Sequence, residues 1–151
     1  MKKYSAVMIN VYRAKWCASH GVEPLAKLFM YLNSWLFGCH IDYRADIPKG
    51  TSLSHHGIGV VINGACKIGQ RVCIAHGVTI GNRMPFHPGH PIIGDDVYIG
   101  SGAYIGGGIT IGNQSFIGAN AVVIKDVPEG CTAVGNPARI IPHKDRKVII
   151  E

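Results

Sequence analysis

Ile93-Gly-Asp-Asp-Val-Tyr, Ile99-Gly-Ser-Gly-Ala-Tyr, Ile105-Gly-Gly-Gly-Ile-Thr and Ile111-Gly-Asn-Gln-Ser-Phe run head to tail through the chain. Ile117 and Val123 continue the series, and glycine follows the isoleucine at 94, 100, 106, 112 and 118. The same period of six holds upstream, at Ile62, Ile68, Ile74 and Ile80, and before them at Ile41, Ile47 and Leu53. Four residues after many of these stands a small or branched residue: Val72, Val78, Val97, Ala103, Ser115 and Ala121. A period of six matches neither an amphipathic helix at 3.6 nor a lone strand at two. It matches short strands joined by tight corners, each hexad forming one wall of a coil, with the isoleucine turned inward onto the next coil. Such coils bury apolar surface only against their neighbours, so stability accumulates along the stack.

The pattern predicts an all-β parallel β-helix over residues 41–141, with a helical segment at 1–40 before it and a tail at 142–151. In the helical segment Val7, Val11, Ala14 and Ala18 mark one face, and Glu23-Pro24 reads as the start of a second helix. That second helix is nearly all apolar from Leu25 to Phe37. Its readings are a helix packed on the main domain or on a neighbouring subunit, or a peripheral membrane contact through residues 25–37 with aromatic anchors.

At 151 residues the chain holds one core, and 47% hydrophobic against 16% charged residues makes it a folded protein. The formal charge of +6 raises nucleic acid as a partner, yet no Lys or Arg occurs between Met84 and Ile124. A nucleic-acid binder clusters its basic residues on one face, so no nucleic acid is expected; cofactor phosphates or solubility account for the charge. The five cysteines form no CxxC pair and no zinc spacing, which reads as free thiols in a reducing cytosol and no metal. Arg13 and Lys15 interrupt what a signal peptide would need as its apolar core, and no run of eighteen apolar residues spans a membrane. The expected location is the cytoplasm, at the inner face of the membrane if residues 25–37 touch lipid.

Two interruptions break the repeat. Three extra residues enter between Leu53 and Ile62, around His55-His56-Gly57-Ile58-Gly59, and a longer loop runs from Asn82 to Pro91. Insertions in a solenoid gather on the binding face, and both of these carry histidines.

The hexads resemble the hexapeptide-repeat acyltransferases, and the resemblance covers roughly residues 41–141. It implies a left-handed parallel β-helix, an exception to the usual right-handed crossover. The hand comes from the resemblance; the repeat comes from the residues. The segments Leu53-Ser-His-His-Gly-Ile-Gly, His76-Gly-Val-Thr-Ile-Gly and His90-Pro-Ile-Ile-Gly are similar to serine acetyltransferases. They look closer still to short relatives that O-acetylate bacterial polysaccharides, of the colanic-acid type. The implied catalytic set is His56 as base, Asp42 as its partner and His90 as a second active-site histidine, with His55 and His76 beside the acceptor. The implied co-substrate is acetyl-coenzyme A, in a groove between subunits of a homotrimer. Gly81, Asn82, Ser101 and Ala119 line that groove, and Lys125 and Arg139 meet phosphates.

The chemistry suits these residue types. An alcohol attacks a thioester only when a base removes its proton, and imidazole does so at neutral pH. A carboxylate on the other ring nitrogen orients the ring. No serine or cysteine sits in a nucleophile elbow, so the transfer is expected to be direct. The main expectation is an O-acetyltransferase acting on a small-molecule or glycan hydroxyl, with a saccharide as acceptor. Three features carry it: few residues before the repeats, His55 where serine acetyltransferases have aspartate, and Gly89 where they have arginine. Serine O-acetyltransferase is the alternative. A gamma-type carbonic anhydrase, which needs a three-histidine zinc site, and a non-catalytic scaffold are remoter ones.

Overall fold

The computed structural model describes residues 5–83, 85 and 88–142; beyond Pro142 the expected tail lies outside them, as do His87 and His143. Two helices, α1 (Ala6–Ser19) and α2 (Glu23–Phe37), open the chain. Fourteen short strands follow: β1 (His40–Ile41), β2 (Ser52–Leu53), β3 (Val61–Ile62), β4 (Lys67–Ile68), β5 (Cys73–Ile74), β6 (Thr79–Gly81), β7 (Ile92–Ile93), β8 (Tyr98–Ile99), β9 (Tyr104–Gly106), β10 (Thr110–Ile111), β11 (Phe116–Ile117), β12 (Val122–Val123), β13 (Cys131–Val134) and β14 (Arg139–Pro142).

The strands stack into three sheets. Sheet A runs β1-β3-β6-β9-β12, sheet B runs β4-β7-β10, and sheet C runs β2-β5-β8-β11-β13-β14. Every pairing is parallel except the last, where β14 folds back antiparallel on β13. The result is the left-handed parallel β-helix that the resemblance implies, with the isoleucines inside. Ile41, Ile62, Ile80, Ile105 and Val123 pair in register along sheet A, and all five are buried. Leu53, Ile74, Ile99, Ile117 and Ala133 form the matching column of sheet C. Branched residues suit this setting because their stiff χ1 packs well on a pleated surface.

The chain passes from sheet C to sheet A, then to sheet B, then back to C, so three edges run the length of the solenoid. Each edge is a column of corner residues. Arg71, Asp96 and Gln114 occupy equivalent B–C corners with φ between 55° and 57°. Arg71 and Asp96 are joined by a two-bond ion pair across consecutive coils.

The helices pack on the first coil. Ser5 caps α1 by accepting from the Met8 N–H, and Val7, Met8, Val11, Ala14 and Cys17 are buried. This is the expected face, with Met8 and Cys17 added and Ala18 only half-buried. Buried Asn33 on α2 accepts from Asn10 Nδ2 at 2.9 Å and donates to the Val7 carbonyl at 3.1 Å. Tyr12 Oη donates to the Pro48 carbonyl, and Lys15 Nζ to that of Ala45. On α2 only Ala26 and Asn33 are fully buried; Leu25, Leu28, Tyr31, Leu36 and Trp35, the last 82% exposed, face outward. Among the described residues no helix is long and apolar enough to cross a membrane.

Candidate active site

The three-residue insertion lies on the C–A edge. After β2 the chain makes one tight turn, Ser54–Gly57, in which His55 (φ 50°) and His56 (φ 57°) both take the left-handed conformation. Such residues cost on the order of 1–2 kcal/mol each. Consecutive left-handed residues also send the two imidazoles in different directions. The His56 ring lies 6.4 Å from the Phe37 ring at the end of α2, while the His55 ring meets His76 edge-on at 5.3 Å and 79°. Both histidines of the turn are exposed.

His76 belongs to the next corner up. Gly77 N–H donates to the Ile58 carbonyl, Gly102 N–H to that of His76, and Asn120 N–H to that of Ser101. Those bonds register Ile58, His76, Ser101 and Ala119 as one column along the C–A edge. Ser101 Oγ lies 3.3 Å from His76 Nδ1. His55, Ile58 and His76 line an open concavity of about 300 Å³.

The remaining expected residues lie elsewhere. Asp42, Gly81, Asn82, His90 and Lys125 all fall between sheets A and B, at the opposite edge of sheet A. Gly81 pairs in register with Gly106, and the Asn82 carbonyl accepts from Tyr104 Oη at 3.4 Å. His90 is half-buried, and its Nδ1 is buried without a hydrogen-bond partner. Lys125 borders a second concavity of about 270 Å³ at the C-terminal end of the solenoid, with Pro137, Ala138 and Ile140. Arg139 is exposed on β14.

Within one chain, then, His55, His76 and Ser101 come together, while His56 stands apart from Asp42 and His90. Sheet A separates the two edges by three to four residues at about 3.3 Å each, on the order of 10 Å. Asp42, 8% exposed, is held by Arg44: Nη2 donates to Oδ2 at 2.6 Å, Nε to Oδ1 at 3.0 Å, and the Arg44 backbone N–H to Oδ1 at 2.9 Å. Burial pushes the Asp42 carboxyl up, but these bonds pull it down by more, and it lies below its ordinary value. Arg44 and the exposed Ile58 are the residues the sequence reading passed over. The Asp-Tyr-Arg spacing was a signal for the first; for Ile58 the signal was its place in the insertion, outside the hexad column.

Among the described residues no group of three or more His, Cys, Asp or Glu is placed to hold a metal ion.

The bacterial transferase hexapeptide family (six repeats) matches residues 90–125. A serine acetyltransferase of Helicobacter pylori is 42% identical over 123 residues, which are 81% of this chain and 71% of that protein. One from Bacillus subtilis is 39% identical over 125 residues, covering 82% and 57%. Among solved structures, the serine acetyltransferase of Neisseria gonorrhoeae in complex with serine superposes with a TM-score of 0.81 at 35% identity, covering 88% of this chain and 54% of that one. The chain thus spans about half the length of that solved relative.

These matches overturn the saccharide acceptor and the nearer likeness to polysaccharide O-acetyltransferases. A match over 123 of 151 residues necessarily takes in the insertion and the loop as well as the repeats. Of the three features behind the saccharide reading, the loop glycine has a cause of its own in the fold. Gly89 has φ +120°, and a Cβ there would lie 2.8 Å from Gly108 Cα; the path of this loop excludes a side chain whatever the acceptor. His55, where the resemblance implies an aspartate, has its ring edge-on to His76.

Proposed function

We propose, since the chain belongs to the serine acetyltransferase family of hexapeptide-repeat transferases, that it moves the acetyl group of acetyl-coenzyme A to the hydroxyl of L-serine. The observation that carries the proposal is the 42% identity with a serine acetyltransferase across 81% of the chain. His56 acts as the general base: it takes the hydroxyl proton while the serine oxygen attacks the thioester carbon. The tetrahedral intermediate then expels the coenzyme A thiolate, which recovers a proton from the imidazolium. No acetyl-enzyme forms.

The division of the residues between two edges supports a trimer in which one copy's C–A edge meets a neighbour's A–B edge. Ser101 and Ala119 would then face Gly81 and Asn82 of the next copy across a groove for the pantetheine arm. Lys125 and Arg139 supply charge-assisted donors to phosphates. The orphaned His90 Nδ1 suits a group that gains its partner only on assembly or substrate binding. Asp42, committed to Arg44, serves to fix that guanidinium at the A–B edge.

The test is coenzyme A release by the purified protein with L-serine, in wild type and His56→Ala. The variant should lose about 10²–10⁴ in turnover, the usual share of a general base, while calorimetry finds coenzyme A binding unchanged. Release no faster with serine than without any acceptor would remove serine as the substrate.

A further inference from the structure

We propose that the outward face of α2, with the adjoining stripe of α1, docks peripherally on an anionic lipid surface. Its 15 residues leave α2 short of the 20 or so that a bilayer crossing takes. Yet its exposed side is apolar. Leu28, Tyr31 and Trp35 follow at i, i+3 and i+7 along one stripe, with Leu25 and Leu36 beside it, and all five are exposed. The surface continues onto α1. There Ile9, Arg13 and Trp16 are exposed at i, i+4 and i+7, and the Arg13 guanidinium lies 6.0 Å from the centre of the Phe29 ring of α2. Large apolar side chains gathered on one outer surface mark a place where something docks.

Charge selects what docks. Between Ser5 and Cys39 the only acid is Glu23, and its carboxylate accepts from Tyr43 Oη. Lys15 is taken by Asp46 and the Ala45 carbonyl. Arg13 and Lys27 have no ion-pair partner among the described residues. Lys27 is exposed one turn before Tyr31, at the border of the stripe, and Lys2 and Lys3 precede Ser5 in the chain. A second copy docked face to face brings the same patch to the contact, so cations would meet cations with no acid to answer them. Lipid phosphates supply the missing charge. The aromatic residues favour the same partner. The Trp35 indole and the Tyr31 hydroxyl have no hydrogen-bond partner among the described residues. At a membrane interface their rings enter the acyl boundary while water and headgroup oxygens meet the polar tips.

The purified full chain should be sedimented with vesicles of phosphatidylcholine alone and of an equimolar mixture with phosphatidylglycerol. Partitioning onto the mixed vesicles is expected to be about tenfold stronger and to weaken in high salt. The double variant Leu28→Gln/Trp35→Gln should lose about tenfold or more of it, and Lys27→Gln about fivefold, one cation's share. Failure of the wild type to bind the mixed vesicles, or equal binding by both variants, would overturn the proposal. A measurement that does not need a disrupted face uses Trp16→Phe, which leaves Trp35 as the only tryptophan. Its emission should shift to the blue on the mixed vesicles and be quenched by lipids brominated on the acyl chains. Sedimentation without quenching would place the contact elsewhere on the molecule and overturn the assignment to α2. Light scattering gives the rival outcome. An assembly that the double variant halves in mass, with no vesicle binding by the wild type, would assign this face to a second copy instead.

Discussion

Asp42 shows how one local bond sets the character of a residue. Its carboxylate is nearly buried and kept ionised by Arg44, whose own side chain remains 70% exposed. The folded-state value lies below the ordinary one, so this contribution to stability is complete above the unfolded value of about 4 and disappears as pH falls through the folded value. Arg44→Ala should therefore cost about 1 kcal/mol in urea unfolding at neutral pH, a figure kept small by the exposure of the guanidinium. The deficit should shrink as pH falls below about 4 and vanish only below the folded value, where the carboxyl is protonated in both states; a deficit that persists beyond that point would mean that Arg44 acts through packing. The thiols differ from one another in the same physical way. Burial pushes Cys39 and Cys66 up to about 11, whereas Cys73 is half-buried on the outer side of sheet C. Iodoacetamide at mildly alkaline pH should label Cys73 first, with Cys39 and Cys66 protected until the chain unfolds. Prompt labelling of Cys39 in peptide mass spectra would contradict the packing of α2 on the first coil.

The elements are too short to be stable alone: most strands have two residues, and each is held by the coils on either side. Ile105 in β9 is fully buried and pairs with Ile80 on one side and Val123 on the other. Ile105→Ala should cost about 2–5 kcal/mol, the range for such truncations in close-packed cores, since the coils cannot collapse into the space from either side. Corners are as demanding as the core. A Cβ on Gly112 would fall 2.3 Å from the Glu129 backbone nitrogen, and that neighbour is main chain that cannot rotate away. Gly112→Ala should therefore lower the thermal midpoint markedly, where substitution of an exposed residue without such contacts moves it little. Equal midpoints for variant and wild type would show that the coil spacing yields at this corner.

At the scale of the whole molecule, the proposed site is split. His56 occupies the C–A edge and His90 the A–B edge, on either side of sheet A, which makes a site between copies the economical arrangement. Light scattering should return the mass of a trimer. A sharper check is to co-express His56→Ala and His90→Ala subunits. Each variant alone should be inactive or nearly so, while random mixing rebuilds about one site in four from the intact halves, as cyclic symmetry requires. Co-expressed protein no more active than the separate variants would place both histidines in one subunit's site, or exclude one of them from it.

The hexad itself determined the solenoid. One inward residue in every six is a local pattern, so Ile62, Ile80, Ile105 and Val123 could be assigned to the core before any pairing was known, and β3, β6, β9 and β12 bear them. The two insertions were legible for the same reason, as breaks in a period. Contacts between corners belonged to the tertiary structure. Ser101 and Ala119 are eighteen residues apart, one regular coil, but His55 and His76 are twenty-one apart and His76 and Ser101 twenty-five, because the insertions lengthen those coils. Only the stacking of the coils, set by backbone hydrogen bonds such as Gly77 N–H to the Ile58 carbonyl, brings the three side chains onto one edge. Asp42 went to Arg44 for a related reason. The resemblance makes it the partner of His56, but the fourteen residues between them run through the walls of sheets B and C to the other edge of sheet A, and a residue two positions away meets the carboxylate where the distant imidazole does not.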